Sequence, residues 1–267
     1  MTLSRPWQLM LRAAVALVLL IIYTPLVVVG ISSLNSDQTF GWPPSSLTLH
    51  WWRVAVSDQG ARSAILTSIE VGLIATAVAL LLGTLAAFAL VRYDFFGRDS
   101  ISLLIVLPIA LPGIVTGLAL NSAFTTMMGI SLSIWTVAIA HATFCIVVVF
   151  NNVSARLRQI GGNVEEASMD LGASRWTTFR WVTLPLLRLV LLAGALLAFA
   201  LSFDEIVVTT FTAGANVQTL PIWIFTNLFR PNATPIINVV GTVLICLSFI
   251  PIYASQKLVG GAGGGRL

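Results

Sequence analysis

Asp204 and Glu205 place two carboxylates side by side at the end of a long apolar run, in the stretch LSFDEIVVTTFTAG. A carboxylate that faces lipid near the middle of a bilayer costs about 2.5 kcal/mol or more, so this pair is expected to face protein or a water-filled cavity. In such a cavity a negative charge can bind a cation. The alternative is structural: the two residues cap the outer end of a helix, or they pair with Arg62 or Arg230 in the outer loops.

A second polar segment, EEASMDLGASRWTTFRWVTLP at residues 165–185, interrupts the apolar sequence. Asn163 is placed to cap a helix, and Glu166 three residues later can reach back to the cap, as in a capping box. Gly172 is predicted to end this helix. The helix has one small, mildly apolar face suited to docking in a protein groove. This face consists of Val164, Ala167, Ser168 and Leu171.

A second short amphipathic helix is expected between Gly172 and Pro185, where the next apolar span begins. Such a helical pair can lie on the membrane surface, with Arg175 and Arg180 meeting anionic lipid. It can equally dock on a protein partner. The chemistry of these residues alone leaves both interpretations open.

The composition indicates an integral membrane protein. Hydrophobic residues make up 57% of the 267 residues and charged residues 9%, whereas soluble proteins average about 25% charged residues. The charges are clustered, and the uncharged runs between them are long enough to cross the bilayer core, which takes about 20 residues. A soluble domain is therefore excluded.

The apolar runs predict an all-α, polytopic fold that forms a single transmembrane domain over residues 1–267, with a cytoplasmic loop at 153–186. An even number of spans puts both termini on one side of the membrane, and the excess of Arg and Lys on that side places them in the cytoplasm. The six predicted spans are roughly 12–33, 63–91, 100–121, 132–152, 187–210 and 235–256.

Prolines and glycines concentrate in the third span, LLIVLPIALPGIVTGLAL. Pro108 and Pro112 are expected to kink it, and Gly113 and Gly117 to let neighbouring helices approach closely. His141, in the fourth span, is expected to be a hydrogen-bonded core residue rather than a metal ligand, because no other metal-binding side chain accompanies it.

Enzymatic motifs are missing from the sequence. The chain has two His and contains neither a His-Glu-x-x-His nor a Gly-x-Ser-x-Gly motif. We therefore expect no catalytic residue, no metal site and no cofactor in this chain.

The polar segment resembles the EAA loop of ABC importer permeases. That loop reads Glu-Ala-Ala, three residues, Gly, nine residues and Ile-x-Leu-Pro. The matching residues here are Glu166-Ala167-Ser168, Gly172 and Val182-Thr183-Leu184-Pro185, with Ser168 and Val182 as mild departures. The spacing is fixed over 20 residues.

The resemblance implies a fold of the type I ABC importer permeases and a coupling role for the loop. A short helix would sit in a cleft of a cytoplasmic ATPase and pass its movement to the membrane helices. By this resemblance Glu166 contacts or orients the docking helix, Ala167 packs in the cleft and Gly172 allows the turn. Ser168, Leu184 and Pro185 complete the expected coupling set.

The C-terminal half is similar to permeases of the spermidine/putrescine type, which have an acidic pair at the same place. The similar stretches are SFDEIVVTTFTAG, QTLPIWIF and TPIINVV. This similarity implies a permease subunit that carries a small solute, with a polyamine such as putrescine or spermidine expected, and with Asp204 and Glu205 in the pathway. The alternatives are the same importer class with another solute, or an ion-coupled secondary transporter that uses the same two carboxylates.

The family pattern also implies partners and a location. We expect a second homologous permease, two copies of a cytoplasmic ABC ATPase that bind ATP and Mg, and an extracytoplasmic solute-binding protein. Membrane lipid is a further partner, and no nucleic acid is expected. The chain would cross the bacterial inner membrane several times, with both termini in the cytoplasm.

Overall fold

The computed structural model describes residues 4–38, 41–230 and 232–262, with side chains described up to residue 248. In these ranges the regular elements are helices, and an isolated antiparallel bridge joins Asn35 to Leu47. The helices are α1 (Arg5–Ser32), α2 (His50–Ser57), α3 (Gln59–Arg92), α4 (Arg98–Ala110), α5 (Gly113–Ser122), α6 (Ile134–Ile160), α7 (Asn163–Asp170), α8 (Arg175–Thr178), α9 (Leu184–Asp204), α10 (Val207–Thr212), α11 (Leu220–Asn227) and α12 (Thr234–Ala262). Two π-helical turns, Ala123–Met127 and Phe179–Thr183, extend α5 and join α8 to α9.

The all-α prediction is confirmed for the described residues, and several helices are long and apolar enough to cross a membrane. Four helices meet this test in the described part, and α4 with α5 adds a fifth span if the bent pair is one crossing. The described apolar part of α12, Thr234–Ser248, is shorter than a span. Six membrane spans therefore stay a prediction. The four helices that pass the test individually are Arg5–Ser32, Gln59–Arg92, Ile134–Ile160 and Arg175–Asp204.

The helices group into two compact units. One unit contains the chain up to Arg62 and from Ile224 onward, where α12 packs against α1 and α2. The other runs from Ser63 to Trp223 and holds both polar segments singled out in the sequence. The single transmembrane domain expected over the whole chain stays a prediction.

The second unit is built on the pairing of α6 with α9. Its core contains fully buried aliphatic side chains on both helices, including Val149, Leu157 and Leu187. Small residues allow the close packing that membrane helices use in place of a hydrophobic driving force. A methyl group added at Gly83 of α3 would lie 2.9 Å from the carbonyl oxygen of Ile146.

The third span is broken at Pro112, one of the two prolines expected to kink it. The chain bends by 107° there, between the end of α4 at Ala110 and the start of α5 at Gly113. Pro112 lacks the N–H that would continue the helix. The predicted close approach is confirmed at Gly117, where an added methyl group would lie 2.8 Å from Phe211 Cδ2 of α10.

The fourth and fifth helices also differ from the prediction. α6 continues to Ile160 and a helix restarts at Arg175, so much of the predicted loop at 153–186 is helical. The predicted span at 187–210 is wrong at its C-terminal end, because α9 stops at Asp204. Glu205 is extended, with ψ of 117°, and the chain then starts α10 as a separate short helix.

Candidate functional site

α7 begins one residue earlier than the capping prediction required. Gly162 is the N-cap, with no side-chain hydrogen bond to the helix, and Asn163 is the first helical residue. The predicted capping box of Asn163 and Glu166 is therefore wrong. The carbonyl oxygen of Gly162 accepts from the backbone N–H groups of Glu165 and Glu166, both at 3.0 Å.

The end of α7 follows the prediction. Gly172 adopts a left-handed φ of +88°, and its N–H donates to the carbonyl oxygen of Met169 at 2.9 Å. The N–H of Ala173 donates to the carbonyl oxygen of Ser168 at 3.2 Å. These two bonds form a Schellman motif, in which glycine avoids the steric cost of positive φ. Gly172 thus ends the helix in a defined turn.

The first turn of α7 is held by an ion pair that the sequence did not reveal. Glu165 Oε2 lies 2.9 Å from Arg92 Nε at the end of α3, and both side chains are 16% exposed. The same carboxylate accepts from Thr183 Oγ1 at 3.0 Å, and Arg92 also donates to the carbonyl oxygen of Gly161 at 2.7 Å. The Arg92–Glu165 pair therefore connects α3 and α7 to the end of α6, through Arg92, and to the π turn before α9, through Glu165. We call Arg92, Glu165 and Thr183 the α7 anchor.

The residues of the predicted docking face of α7 differ in what they contact. Ser168 hydrogen-bonds Thr178 of α8 at 3.0 Å. Val164 and Ala167 are exposed, and Leu171 is 90% exposed. Of the predicted docking face, Ser168 is thus used inside the protein. We call Val164, Ala167 and Leu171 the exposed face of α7.

The remaining residues of the predicted coupling set are dispersed. Glu166 is exposed on α7, whereas Leu184 and Pro185 form the first turn of α9. The π turn just before them, Phe179–Thr183, packs against α7. Between α7, α8 and the end of α3 lies a groove of about 360 Å³. It is lined by both Arg92 and Glu165 of the anchor and by aromatic side chains.

The acidic pair separates into two roles. Glu205 is half-buried, and its Oε1 accepts from the N–H of Val208 at 2.9 Å, so its carboxylate caps the first turn of α10. Asp204 ends α9 with an exposed side chain and has no hydrogen bond or ion pair within residues 63–223. Glu205 therefore has a structural role, as the cap of α10 rather than of the span that ends at Asp204, and pairing with Arg62 or Arg230 stays a prediction. We call Asp204, Glu205 and Ile206 the acidic turn.

α10 is also held at its other end by side chains of neighbouring helices. Asn121 Nδ2 donates to the carbonyl oxygen of Phe211 at 2.5 Å, and Thr136 Oγ1 donates to that of Thr212 at 2.8 Å. A short helix in a membrane protein leaves backbone groups without helical partners, and these must be satisfied by protein or water. Here α5 and α6 supply the partners.

His141 lies at the centre of this arrangement and is fully buried. Its Nδ1 lies 2.8 Å from Ser202 Oγ on α9, and its Nε2 lies 2.8 Å from Thr209 Oγ1 on α10. Thr209 Oγ1 in turn donates to the carbonyl oxygen of Glu205 at 2.7 Å. The prediction of a hydrogen-bonded core histidine is confirmed, and no group of three or more metal-ligating side chains occurs in the part of the chain that the structure describes.

Sequence reasoning missed most of the side chains that contact α7 and the acidic turn. Arg92 and Thr183 were not connected with Glu165, because they lie 73 and 18 residues away in sequence. Ser202 and Thr209 carry the one usable signal, since both are hydroxyl residues, seven positions apart, on either side of the acidic pair.

The comparisons with known proteins agree on one family. Residues 79–260 match the family described as binding-protein-dependent transport system inner membrane component. The chain is 32% identical to the spermidine/putrescine transport system permease protein PotC of Haemophilus influenzae, over 89% of this chain and 91% of that protein. It is also 32% identical to the putrescine transport system permease protein PotI of Escherichia coli K12, over 90% of this chain and 86% of that protein.

The chain is also similar to a permease named for another solute and to a chain of a solved structure. The chain is 34% identical to a candidate 2-aminoethylphosphonate transport system permease protein, PhnV of Salmonella paratyphi A, over 85% of this chain and 87% of that protein. A chain from the crystal structure of a bacterial ABC transporter involved in the import of the acidic polysaccharide alginate superimposes with a TM-score of 0.71. That superposition covers 98% of this chain and 99% of the other at 17% identity, so it shows a shared fold.

Proposed function

This chain belongs to the family of binding-protein-dependent transport system inner membrane components and is a permease subunit of an ABC importer, and we propose that it carries a polyamine such as putrescine or spermidine. The observation that carries the choice of solute is the exposed carboxylate of Asp204 at the break between α9 and α10, which has no hydrogen bond or ion pair within residues 63–223. Broken helices in transporters are found where the backbone lines a cavity. A carboxylate there attracts an alkylammonium group by direct charge complementarity.

The coupling role that we propose rests on α7. Its exposed face offers an apolar surface for a cleft in a cytoplasmic ATPase, and the Schellman turn at Gly172 sets its length. The α7 anchor ties the same helix to α3 and to the π turn before α9. A displacement of α7 by the ATPase would therefore be passed to two membrane helices rather than lost in a loose loop.

The assembly follows from this role. The chain would pair with a second homologous permease, bind two copies of an ATPase that carries ATP and Mg, and receive solute from an extracytoplasmic binding protein. The chain itself would supply no catalytic residue. We place it in the bacterial inner membrane with six spans and both termini in the cytoplasm, which would put α7 on the cytoplasmic side and the acidic turn near the outer side.

A second solute class is favoured by a specific observation. The identity to PhnV is as high as that to the polyamine permeases. An aminophosphonate has one ammonium group and an anionic phosphonate, so it needs a cationic partner beside a carboxylate. A polyamine has only cationic groups, and more than one of them.

The experiment is solute-dependent ATP hydrolysis by the complete complex. The chain would be co-expressed with its partner permease, ATPase and binding protein, and reconstituted in liposomes. Putrescine, spermidine, 2-aminoethylphosphonate and uncharged small solutes would each be added. Stimulation by the polyamines alone supports the proposal. Stimulation by the aminophosphonate alone would keep the importer class and reject the polyamine, and complexes that never contain an ATPase would reject the role of α7.

A further inference from the structure

The hydrogen bonds around His141 fix which ring nitrogen carries the proton. Thr209 has one hydroxyl proton and donates it to the carbonyl oxygen of Glu205, so Thr209 Oγ1 accepts from His141 Nε2. A neutral histidine has a single N–H, which leaves Nδ1 as an acceptor for the hydroxyl of Ser202. Every donor and acceptor in this chain of bonds is then used once. We call His141, Ser202 and Thr209 the histidine clamp.

The clamp encloses the acidic turn on both sides. Ser202 lies two residues before Asp204 on α9, and Thr209 lies on α10 and closes back on Glu205. The chain is extended at Glu205, so no continuous ladder of backbone hydrogen bonds sets the direction of α10 relative to α9. Side chains of α5 and α6 do so instead, and His141 is the one that reaches both α9 and α10. His141 bonds to both helices at once because its two nitrogens lie on opposite edges of one rigid ring.

Burial makes this arrangement specific. The side chains of His141 and Thr209 are fully buried, and Ser202 is 3% exposed. A polar group left without a partner at such a site costs about 1–3 kcal/mol, so the clamp resists any rearrangement that breaks one of its bonds. The orientation of the Asp204 carboxylate is therefore coupled to the hydrogen bonds of a residue that does not approach the solute.

We propose that His141 is a positioning residue for solute binding, which holds the acidic turn so that Asp204 faces the transport pathway. This inference rests on the proposed function, since it takes the Asp204 carboxylate as the group that meets the ammonium of the solute. His141 contributes geometry, and Asp204 contributes the charge.

The first test measures the position of residue 204 without any solute. Asp204→Cys would be made in a Cys246→Ser background, because Cys246 is the exposed native thiol and Cys145 is buried. The rate of modification by a charged methanethiosulfonate reagent is then compared with and without His141→Gln in the assembled complex. Gln has an N–H donor and a carbonyl acceptor, but it has them on a flexible chain, so it lacks the rigid ring that joins Ser202 to Thr209. We expect the rate to change at least threefold, and an unchanged rate would overturn the proposal.

The second test measures uptake of putrescine by the reconstituted complex. His141→Gln and the milder Ser202→Ala are each expected to raise KM about tenfold with a smaller change in maximal rate, because the binding geometry is altered while coupling is retained. Ser202→Ala removes a single hydroxyl and keeps the test valid if His141→Gln fails to assemble. A proportional fall in maximal rate with wild-type KM would show a merely structural role and contradict the inference.

A matched control and a separate variant keep the two proposals distinguishable. Thr143→Val, also on α6, removes a hydroxyl whose hydrogen bond stays within its own helix, and it should leave KM and the modification rate unchanged. Asp204→Asn tests the solute proposal itself. A wild-type KM for Asp204→Asn together with an altered modification rate in His141→Gln would reject the solute assignment while supporting the clamp as the device that orients the turn.

Discussion

Arg92 Nε at the end of α3 lies 2.9 Å from Glu165 Oε2 in the first turn of α7. The two residues are 73 positions apart in sequence, so their contact fastens the polar helix of the EAA segment directly to a membrane helix. Glu165 also accepts from Thr183 in the π turn before α9. The resemblance drew attention to Glu166, but the neighbouring Glu165 is the residue that connects α7 to the rest of the unit.

Breaking the α7 anchor should uncouple ATP hydrolysis from transport. Arg92→Gln leaves the half-buried Glu165 without its ionic partner, at a cost of about 1–3 kcal/mol. We expect the complex to assemble with the ATPase, and the ratio of solute transported to ATP hydrolysed to fall severalfold. Both rates would be measured in the same liposomes.

A second ion pair in the chain supplies the control for the anchor. Arg98 pairs with Asp94, whose side chain is 94% exposed, and exposed pairs contribute about 0–1 kcal/mol. Arg98→Gln should therefore leave the coupling ratio unchanged. The reciprocal variant Arg92→Glu with Glu165→Arg should restore part of the ratio. Equal effects of Arg92→Gln and Arg98→Gln would contradict a specific role for the anchor.

The turn after α7 should be sensitive to a methyl group at Gly172. Space is open around this position, so Gly172→Ala tests only the backbone, where a left-handed conformation costs about 1–2 kcal/mol. We expect weaker co-purification of the ATPase. Gly172→Asn should be milder, because Asn tolerates this conformation better.

Gly129 is the matched control for Gly172. It also has positive φ, at +66°, with open space around it, but it lies before α6 rather than beside α7. Gly129→Ala should impose a similar strain and leave the ATPase bound. Loss of the ATPase in both variants would indicate general destabilisation rather than a defect at the docking turn.

The exposed face of α7 should be the surface that binds the ATPase. Leu171→Asp places a charge on a side chain that is 90% exposed, so it should cost the isolated chain little stability. It should still abolish co-purification of the ATPase, because an unpaired charge would be buried in the cleft. Val56→Asp on α2, at a side chain that is 73% exposed, is the control. If Leu171→Asp keeps the ATPase bound, the helix lies on lipid instead.

The two acidic residues should respond differently to loss of charge. Asp204→Asn removes the exposed carboxylate and should raise the KM for putrescine about tenfold, which corresponds to roughly 1.4 kcal/mol. Glu205→Gln keeps an oxygen that can accept from Val208 N–H, so the cap of α10 is retained and the change in KM should be less than about threefold.

Ionic strength gives an independent check on that prediction. Attraction between Asp204 and an ammonium group in a water-filled cavity is screened by salt. The KM of the wild-type complex should therefore rise with salt more steeply than that of Asp204→Asn, as measured by putrescine uptake at several salt concentrations. A larger effect of Glu205→Gln than of Asp204→Asn would assign the solute contact to Glu205.

The sequence by itself determined the properties that depend on local chemistry. Low charge and long apolar runs identified a polytopic helical membrane protein. Gly172 ended a helix as predicted, because the positive φ of a Schellman turn favours glycine over any residue with a Cβ. Pro112 predicted a disruption in the third span for a similar reason, since a missing N–H acts within its own turn.

Only the tertiary structure decided which side chains act together. The ion pair of Arg92 with Glu165 and the bonds of His141 to Ser202 and Thr209 join residues that are at least 61 positions apart. No local preference encodes such pairings, because they depend on how helices pack. The end of α9 at Asp204 belongs to the same class. The apolar pattern continues past Asp204, but the helix breaks there and the separate short helix α10 follows. Glu205 accepts from the first turn of α10, and Asn121 and Thr136 donate to its last carbonyl groups. His141 holds Thr209, which donates to the carbonyl oxygen of Glu205.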